Sequence, residues 1–347
     1  MATDSVTVRP GQLSELLSRL IPAREPVLIT GAPGSGKTEI VHQAALFTQA
    51  EMILSHPAVS DPTDAKGLPW LDKGGDSATF LPFGDLARAL KANRPTVWFL
   101  DDLGQAPPAV QASFMQLILA RRVNDHILPD CVTFVAATNR RSDRAGVSGI
   151  LEPVKSRFAT IVELSVNLAD WCNWAFTAKV PAEVIAFLRF REELLHKFEP
   201  TSDLTNSPSP RTWAAVGRLL NLRIPEELEF AAIAGAVGQG AAVEFVAFLK
   251  MFRQLPSIDS ILFNPHQAVI PEEPSALFAV STALASRAND NNFDRVYEYC
   301  KRLEEIGKAE FAILTLLDSH RRTPSVANTT SFIQFASSDL GKLAYGE

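Results

Sequence analysis

The stretch "PVLITGAPGSGKTEIVHQAALF" (26–47) decides the fold. It opens on a short β-branched apolar run, 26–30, that stops at Gly31, as a buried strand would. It closes on "KTEIVHQAALF", whose apolar spacing suits a helix. Between them, "GAPGSGKT" (31–38) fits GxxxxGK[ST] in full, after a strand and opening a helix. Such a loop aims backbone N–H groups at phosphates, aided by the helix N-terminus. Gly31, Ala32, Pro33, Gly34, Ser35 and Gly36 are thus predicted to cradle the phosphates of ATP. Lys37 is predicted to neutralise the β/γ-phosphates, and the Thr38 hydroxyl to ligate Mg²⁺.

Outward from this loop, "MILS" (52–55), "TVWFL" (96–100) and "VTFVAAT" (132–138) read as further strands, with helical stretches between, notably 107–122. Strands alternating with helices predict a parallel sheet covered on both faces. "VWFLDD" (97–102) places Asp101 at the carboxyl edge of its strand, where parallel α/β sheets bind ligands. Asp101 is predicted to hold Mg²⁺ through water, and Asp102 to polarise the attacking water. Asn139 follows the next strand, where its amide would orient that water or touch the γ-phosphate.

Past about residue 165 the pattern becomes helical: 182–198, 210–222, 226–237, 241–252 and a region from 275 to 318, with a looser segment at 255–274. The Ser/Thr-rich tail is expected to be partly mobile. Hydrophobic residues make up 46% and charged residues 21%, ordinary for a globular chain. The net charge of −6 and the lack of a basic or zinc-binding module argue against a nucleic-acid-acting protein. Three scattered cysteines without CxxC spacing predict neither disulfides nor a zinc site. The start of the chain lacks the pattern of a signal peptide, and no apolar run reaches the roughly 18 residues that span a bilayer. A cytoplasmic location is the expectation.

The order Walker A "GAPGSGKT", Walker B "VWFLDD", sensor 1 at Asn139, "KSRF" (155–158) and "SPR" (209–211) resembles the AAA+ ATPases. "DPTDAKG" (61–67), "QAPPAVQASFMQLILARRV" (105–123) and "SPRTW" are similar to the MoxR-related branch. The resemblance implies an α/β fold class: a P-loop AAA+ core with a parallel sheet between helices, then an all-α lid and a C-terminal helical region. The matching division is an N-terminal segment (1–24), the core (25–165), the lid (166–255) and the extension (256–347). It further implies a hexameric ring, in which Arg157 is the finger reaching a neighbour's γ-phosphate, worth about 10³–10⁵ in rate in related phosphoryl transfer. Arg121, Arg122, Arg140, Arg141 and Arg144 are rival fingers. Arg211 matches sensor 2, directed at the phosphates of its own subunit.

By the same resemblance, 67–84 is an insert that points toward the ring's pore. It carries a turn at Gly74-Gly75 with Trp70 and Phe80 on its flanks, to grip a chain or to pack beneath the loop. "RRVNDHILPD" (121–130) is shorter than the hairpin usual before sensor 1. Family relatives act as chaperone-like remodelling factors on protein clients, commonly with a von Willebrand factor A domain partner. The alternative is a slow nucleotide switch with little mechanical work; a small-molecule P-loop kinase is the outlying reading. Asp102 stands where this family usually has Glu. Its carboxylate is about 1 Å short on an unchanged backbone, which predicts slow but measurable hydrolysis.

Overall fold

The computed structural model describes residues 6–71, 74–75, 77–143, 149–201, 203–255 and 257–345. The chain divides into two compact units, Met1–Asn167 and Leu168–Glu347. In chain order, the first unit contains β1 (Thr7–Val8), α1 (Pro10–Ala23), β2 (Val27–Gly31), α2 (Lys37–Phe47), β3 (Glu51–Ser55) and α3 (Pro62–Lys66). Then come β4 (Leu68–Leu71), β5 (Ala78–Leu81), α4 (Gly84–Leu90), β6 (Thr96–Leu100) and α5 (Pro108–Met115). The unit ends with β7 (Arg122–Val123), β8 (His126–Ile127), β9 (Val132–Asn139), α6 (Glu152–Lys155) and β10 (Thr160–Leu164).

Six of these strands form one sheet in the order β1-β10-β2-β9-β6-β3, and every pairing is parallel. The P-loop strand β2 therefore lies inside the sheet, beside β9, with β6 next. Alternation along the strands fills two cores. Val27, Ile29, Val97, Phe99, Val135 and Ala137 face Leu13 and Leu17 of α1 and Val41 of α2. Leu28, Trp98, Leu100, Phe134 and Ala136 face Leu86 of α4 and Phe114 of α5. Both faces are dry, so the strands read as unbroken apolar runs. Each such side chain, fully buried, stabilises the fold by about 1.5–3 kcal/mol relative to exposure.

The helix expected over 107–122 is α-helical only to Met115. It continues as a π-helical turn, Gln116–Ala120, stopped by Arg121 at φ 54°. The wider turn re-aims the chain into β7, as such insertions commonly do.

Among its described residues the second unit has only helical elements: α7 (Leu168–Thr177), α8 (Ala182–Phe190), α9 (Pro210–Asn221), α10 (Glu226–Val237), α11 (Gln239–Arg253) and α12 (Ile258–Phe263). These are followed by α13 (Pro274–Arg287), α14 (Phe293–Glu305), α15 (Ala309–Arg322), α16 (Thr330–Ser337) and α17 (Asp339–Tyr345). The helix expected over 182–198 stops at Phe190. Beyond it the Leu194 carbonyl accepts the indole N–H of buried Trp213 at 2.6 Å, which draws that carbonyl out of a helical ladder. Rings of Phe187 and Phe245 close on Trp213. α13 packs on both α8 and α15, and between the latter two Arg189 meets Asp318 in an ion pair whose carboxylate has no exposed surface. The tail expected to be partly mobile is helical. Its Thr329 hydroxyl caps α16 by accepting Phe332 N–H at 3.3 Å, and Phe332, Phe335 and Leu340 are buried.

All three cysteines carry free thiols. Burial pushes the Cys172 thiol up to about 11, and that of Cys300 further still. Among the described residues no helix is long and apolar enough to cross a membrane, and no cluster of three or more His, Cys, Asp or Glu residues is placed to hold a metal ion.

Candidate nucleotide site

The loop between β2 and α2 is set by its glycines. At Gly31 an added Cβ would come 3.0 Å from the Leu164 carbonyl oxygen on β10, so the close strand contact requires glycine. Gly36 has φ +97°, yet its added Cβ would meet nothing within 4 Å. Glycine there serves the left-handed turn, and the space before the loop stays open. The first-turn N–H groups of α2 have no helical acceptors. Ser35 adds a buried hydroxyl without a hydrogen-bond partner. A buried donor without a partner at the start of a helix is a group that a phosphate satisfies; the loop fits a phosphate.

Lys37 is 7% exposed and donates to the carbonyls of Gly31 and Ala32, both at 3.0 Å, and to Asn139 Oδ1 at 2.9 Å. Its ammonium is thus folded across the loop's own strand end. Thr38 Oγ1 donates to Asp101 Oδ2 at 2.7 Å, which places a hydroxyl and a carboxylate where hard oxygen ligands for Mg²⁺ are expected. Asp101 and Asn139 are buried. Gly31 and Asn139 are register partners on neighbouring strands, so both reach the same carboxyl edge.

Asn139 does more than terminate β9. Its Oδ1 accepts from Lys37 while its Nδ2 donates to Asp102 Oδ1 at 3.3 Å. One amide therefore ties the P-loop lysine to the second acid of the pair.

Asp102 itself has φ 57° and ψ 33°, the left-handed region. Its N–H donates to Asp101 Oδ1 at 3.1 Å, and a short 3-10 turn, Leu103–Gln105, follows. Asp and Asn enter this region far more readily than residues with longer side chains. The shorter side chain costs reach, but the left-handed backbone at this position favours Asp over Glu.

The arginines separate by their partners. Arg140 is held on both hands, by Asp143 at 3.0 and 3.1 Å and by Glu163 at 3.1 Å. The hydrogen bond to Asp143, chief among these contacts, raises its pKa further. It is a strut within the unit. Arg121 donates to the Pro129 carbonyl at 2.8 Å, and Arg122 to that of Asn124 at 3.2 Å. Arg157, half-buried just past α6, donates to the carbonyls of Met115, at 3.0 Å, and Pro153. The Arg141 side chain and Arg144 lie outside the described residues. Arg211 belongs to the second unit, exposed on the first turn of α9, where Ser209 caps by accepting Thr212 N–H at 3.2 Å.

The insert forms an antiparallel hairpin, β4 with β5, in register Trp70↔Thr79 and Pro69↔Phe80. Every residue of both strands is exposed, with Trp70 at 63% and Phe80 at 38%. Packing beneath the loop is not their role here. The short stretch before sensor 1 also makes a hairpin, β7 with β8. It leans on the first: His126 Nε2 lies 2.8 Å from the Phe80 carbonyl oxygen, and Asn124 Nδ2 donates to the Lys66 carbonyl at 2.9 Å.

Residues 26–158 match the family described as AAA domain (dynein-related subfamily). No curated protein matches the chain. Among solved structures, the RuvB Holliday junction branch migration motor of Thermotoga maritima is similar at 16% identity and TM-score 0.40, over 79% of this chain and 81% of that one. NtrX from Brucella abortus in complex with ATP is similar at 13% identity and TM-score 0.36, over 93% of this chain and 64% of that one. The matched segment, 26–158, carries the loop, the acidic strand end and the strand-terminal asparagine together.

Proposed function

We propose that the chain binds ATP with Mg²⁺ and hydrolyses it, as a ring-forming, MoxR-like remodelling factor for protein complexes. The observation that carries the ATPase part is the linked set Lys37–Asn139–Asp102 and Thr38–Asp101 at the ends of three adjacent strands. Gly31 to Gly36 and Lys37 hold the phosphates; Thr38 and Asp101 hold Mg²⁺, the latter through water. The ion, when bound, supplies positive charge to the phosphate oxygens. Asp102 accepts a proton from water that Asn139 helps to place. Arg157, from a neighbour in a hexameric ring, and Arg211 supply further positive charge.

The exposed hairpin with Trp70 and Phe80 supports a grip on a polypeptide client. A partner with a von Willebrand factor A domain and a cytoplasmic location belong to the same reading, by likeness to the MoxR-related branch. A slow assembly switch is favoured by one feature: the Arg157 side chain is engaged with carbonyls of its own unit and must leave them to act elsewhere. Binding of a fluorescent ATP analogue with and without Mg²⁺ tests the core of the proposal. Wild type should bind, Lys37→Ala should lose binding by at least tenfold, and Thr38→Ala should lose the Mg²⁺ enhancement. Equal binding by wild type and Lys37→Ala would remove the site.

A further inference from the structure

Gln111 lies on α5, 1% exposed, and enters no step of the reaction proposed above. A buried amide spends its hydrogen bonds inside the protein, and those of Gln111 join three segments. Nε2 donates to the Ala106 carbonyl at 3.0 Å and to the Gly149 carbonyl at 2.9 Å. Oε1 accepts the Leu151 N–H at 3.0 Å. Ala106 closes the 3-10 turn that follows Asp102, and Leu151 is the residue from which α6 starts. Beside the amide, the Gly149 N–H donates to the Gly104 carbonyl at 3.3 Å. Gly149 has φ 102°, which other residues rarely adopt, so the approach to α6 is fixed by backbone as well as by side chain.

Four residues on, one turn along the same face of α5, the Met115 carbonyl accepts the Arg157 Nε–H at 3.0 Å. α5 thus holds α6 twice, at its entry through Gln111 and just past its end through Arg157. Between these two points, Val110 and Phe114 of α5 share a buried core with Val154 and Phe158. Apolar contact is non-directional and brings the two helices together; the aligned bonds of the amide set their register.

We propose that Gln111 is a positioning residue for Arg157. It fixes α6, and with it the arginine, against the turn that follows the chain's own acid, Asp102. The assignment rests on the reading of Arg157 as the finger for a neighbour's nucleotide. Gln111 touches no phosphate in this role and acts through α6. Misplacing a catalytic group by about 1 Å can cost about 10²-fold, whereas a finger is worth about 10³–10⁵. Loss of Gln111 is therefore expected to cost less than loss of Arg157.

The test pairs hydrogen exchange with turnover in Gln111→Met, which keeps the size of the side chain and removes its bonds. The Lys155 and Phe158 N–H groups donate to the Leu151 and Lys155 carbonyls. Their exchange, read by peptide mass without nucleotide, should be about tenfold faster than in wild type, with β9 unchanged. Turnover at saturating MgATP should fall by about 10–100-fold with ATP affinity unchanged. Added to Arg157→Ala, Gln111→Met should cause no further fall, a non-additivity that general destabilisation does not produce. Should Gln111→Met fold poorly, Gln111→Glu at pH 8 takes its place, since an ionised carboxylate keeps the acceptor and loses both donors. Unchanged exchange in α6, faster turnover, lost ATP affinity, or an equal fall with and without Arg157 overturns the assignment. If wild type hydrolyses no ATP, the ATPase reading fails by itself, and exchange in α6 alone decides whether Gln111 positions the helix.

Discussion

Replacing Asp102 by Glu separates two explanations of the acidic pair. If Asp were merely a shortened Glu, adding the methylene would restore reach and speed hydrolysis. The backbone gives the opposite expectation, because residue 102 sits at φ 57° and ψ 33°. That region costs an ordinary L-residue about 1–2 kcal/mol, a penalty that Asp partly escapes. Glu at this position should therefore destabilise by about 1 kcal/mol, or lower Tm by about 2–4 °C in a unit of this size. The longer side chain also carries the carboxylate past the Asn139 amide, now 3.3 Å away. Misplacement on the order of 1 Å can reduce rate by about 10²-fold. Steady-state phosphate release and thermal unfolding of Asp102→Glu measure both effects. Slower turnover with a lower Tm is expected; faster turnover at unchanged Tm would refute the backbone argument.

Four further outcomes follow from the same structure. Asp318→Ala strands the buried Arg189 charge and should destabilise the second unit by about 3–5 kcal/mol in denaturant melts, while Arg189→Met with Asp318→Leu should recover most of it. With its thiol raised to about 11 by burial, Cys172 stays protonated at pH 8. Alkylation of the native chain there should therefore mark Cys131 alone, as read by peptide mass. Mixing Arg157→Ala with Lys37→Ala subunits should recover ATPase activity if the arginine acts across an interface, and no recovery at any ratio would assign it to its own unit. Asn139→Ala removes the bridge between Lys37 and Asp102; it should lower kcat by one to two orders of magnitude with a smaller change in ATP affinity, checked by pairing turnover with direct binding.

Much of the site was legible because its sequence signals are backbone requirements. Gly36 needs a left-handed φ, Gly31 needs the close contact with Leu164, and Lys37 follows at fixed spacing. The strands carrying Asp101 and Asn139 were legible as apolar runs, since both sheet faces are covered. What stayed hidden depends on distant partners. Nothing near Arg140 in sequence points to Glu163, and nothing near Arg157 points to the Met115 carbonyl. Trp70 and Phe80 were ambiguous because an apolar flank reads alike whether buried or exposed. β1 has only two residues and is a strand only by pairing with β10. The Ser/Thr residues of the tail looked like loop composition, yet Thr329 caps a helix. A Cβ at Gly341 would lie 2.2 Å from the Phe335 carbonyl oxygen, a packing constraint that composition does not reveal.

The central claim is that Asp102, held by Asn139 beside Lys37, is the acid that activates water at an ATP site. Its most direct measurement is phosphate release by Asp102→Asn and wild type at equal, saturating MgATP. The amide keeps the side chain's length and the tolerance for the left-handed backbone, so folding and ATP binding should be unchanged. Turnover at least about 10²-fold below wild type is expected, in line with the contribution of a positioned general base. Turnover equal to wild type would contradict the claim.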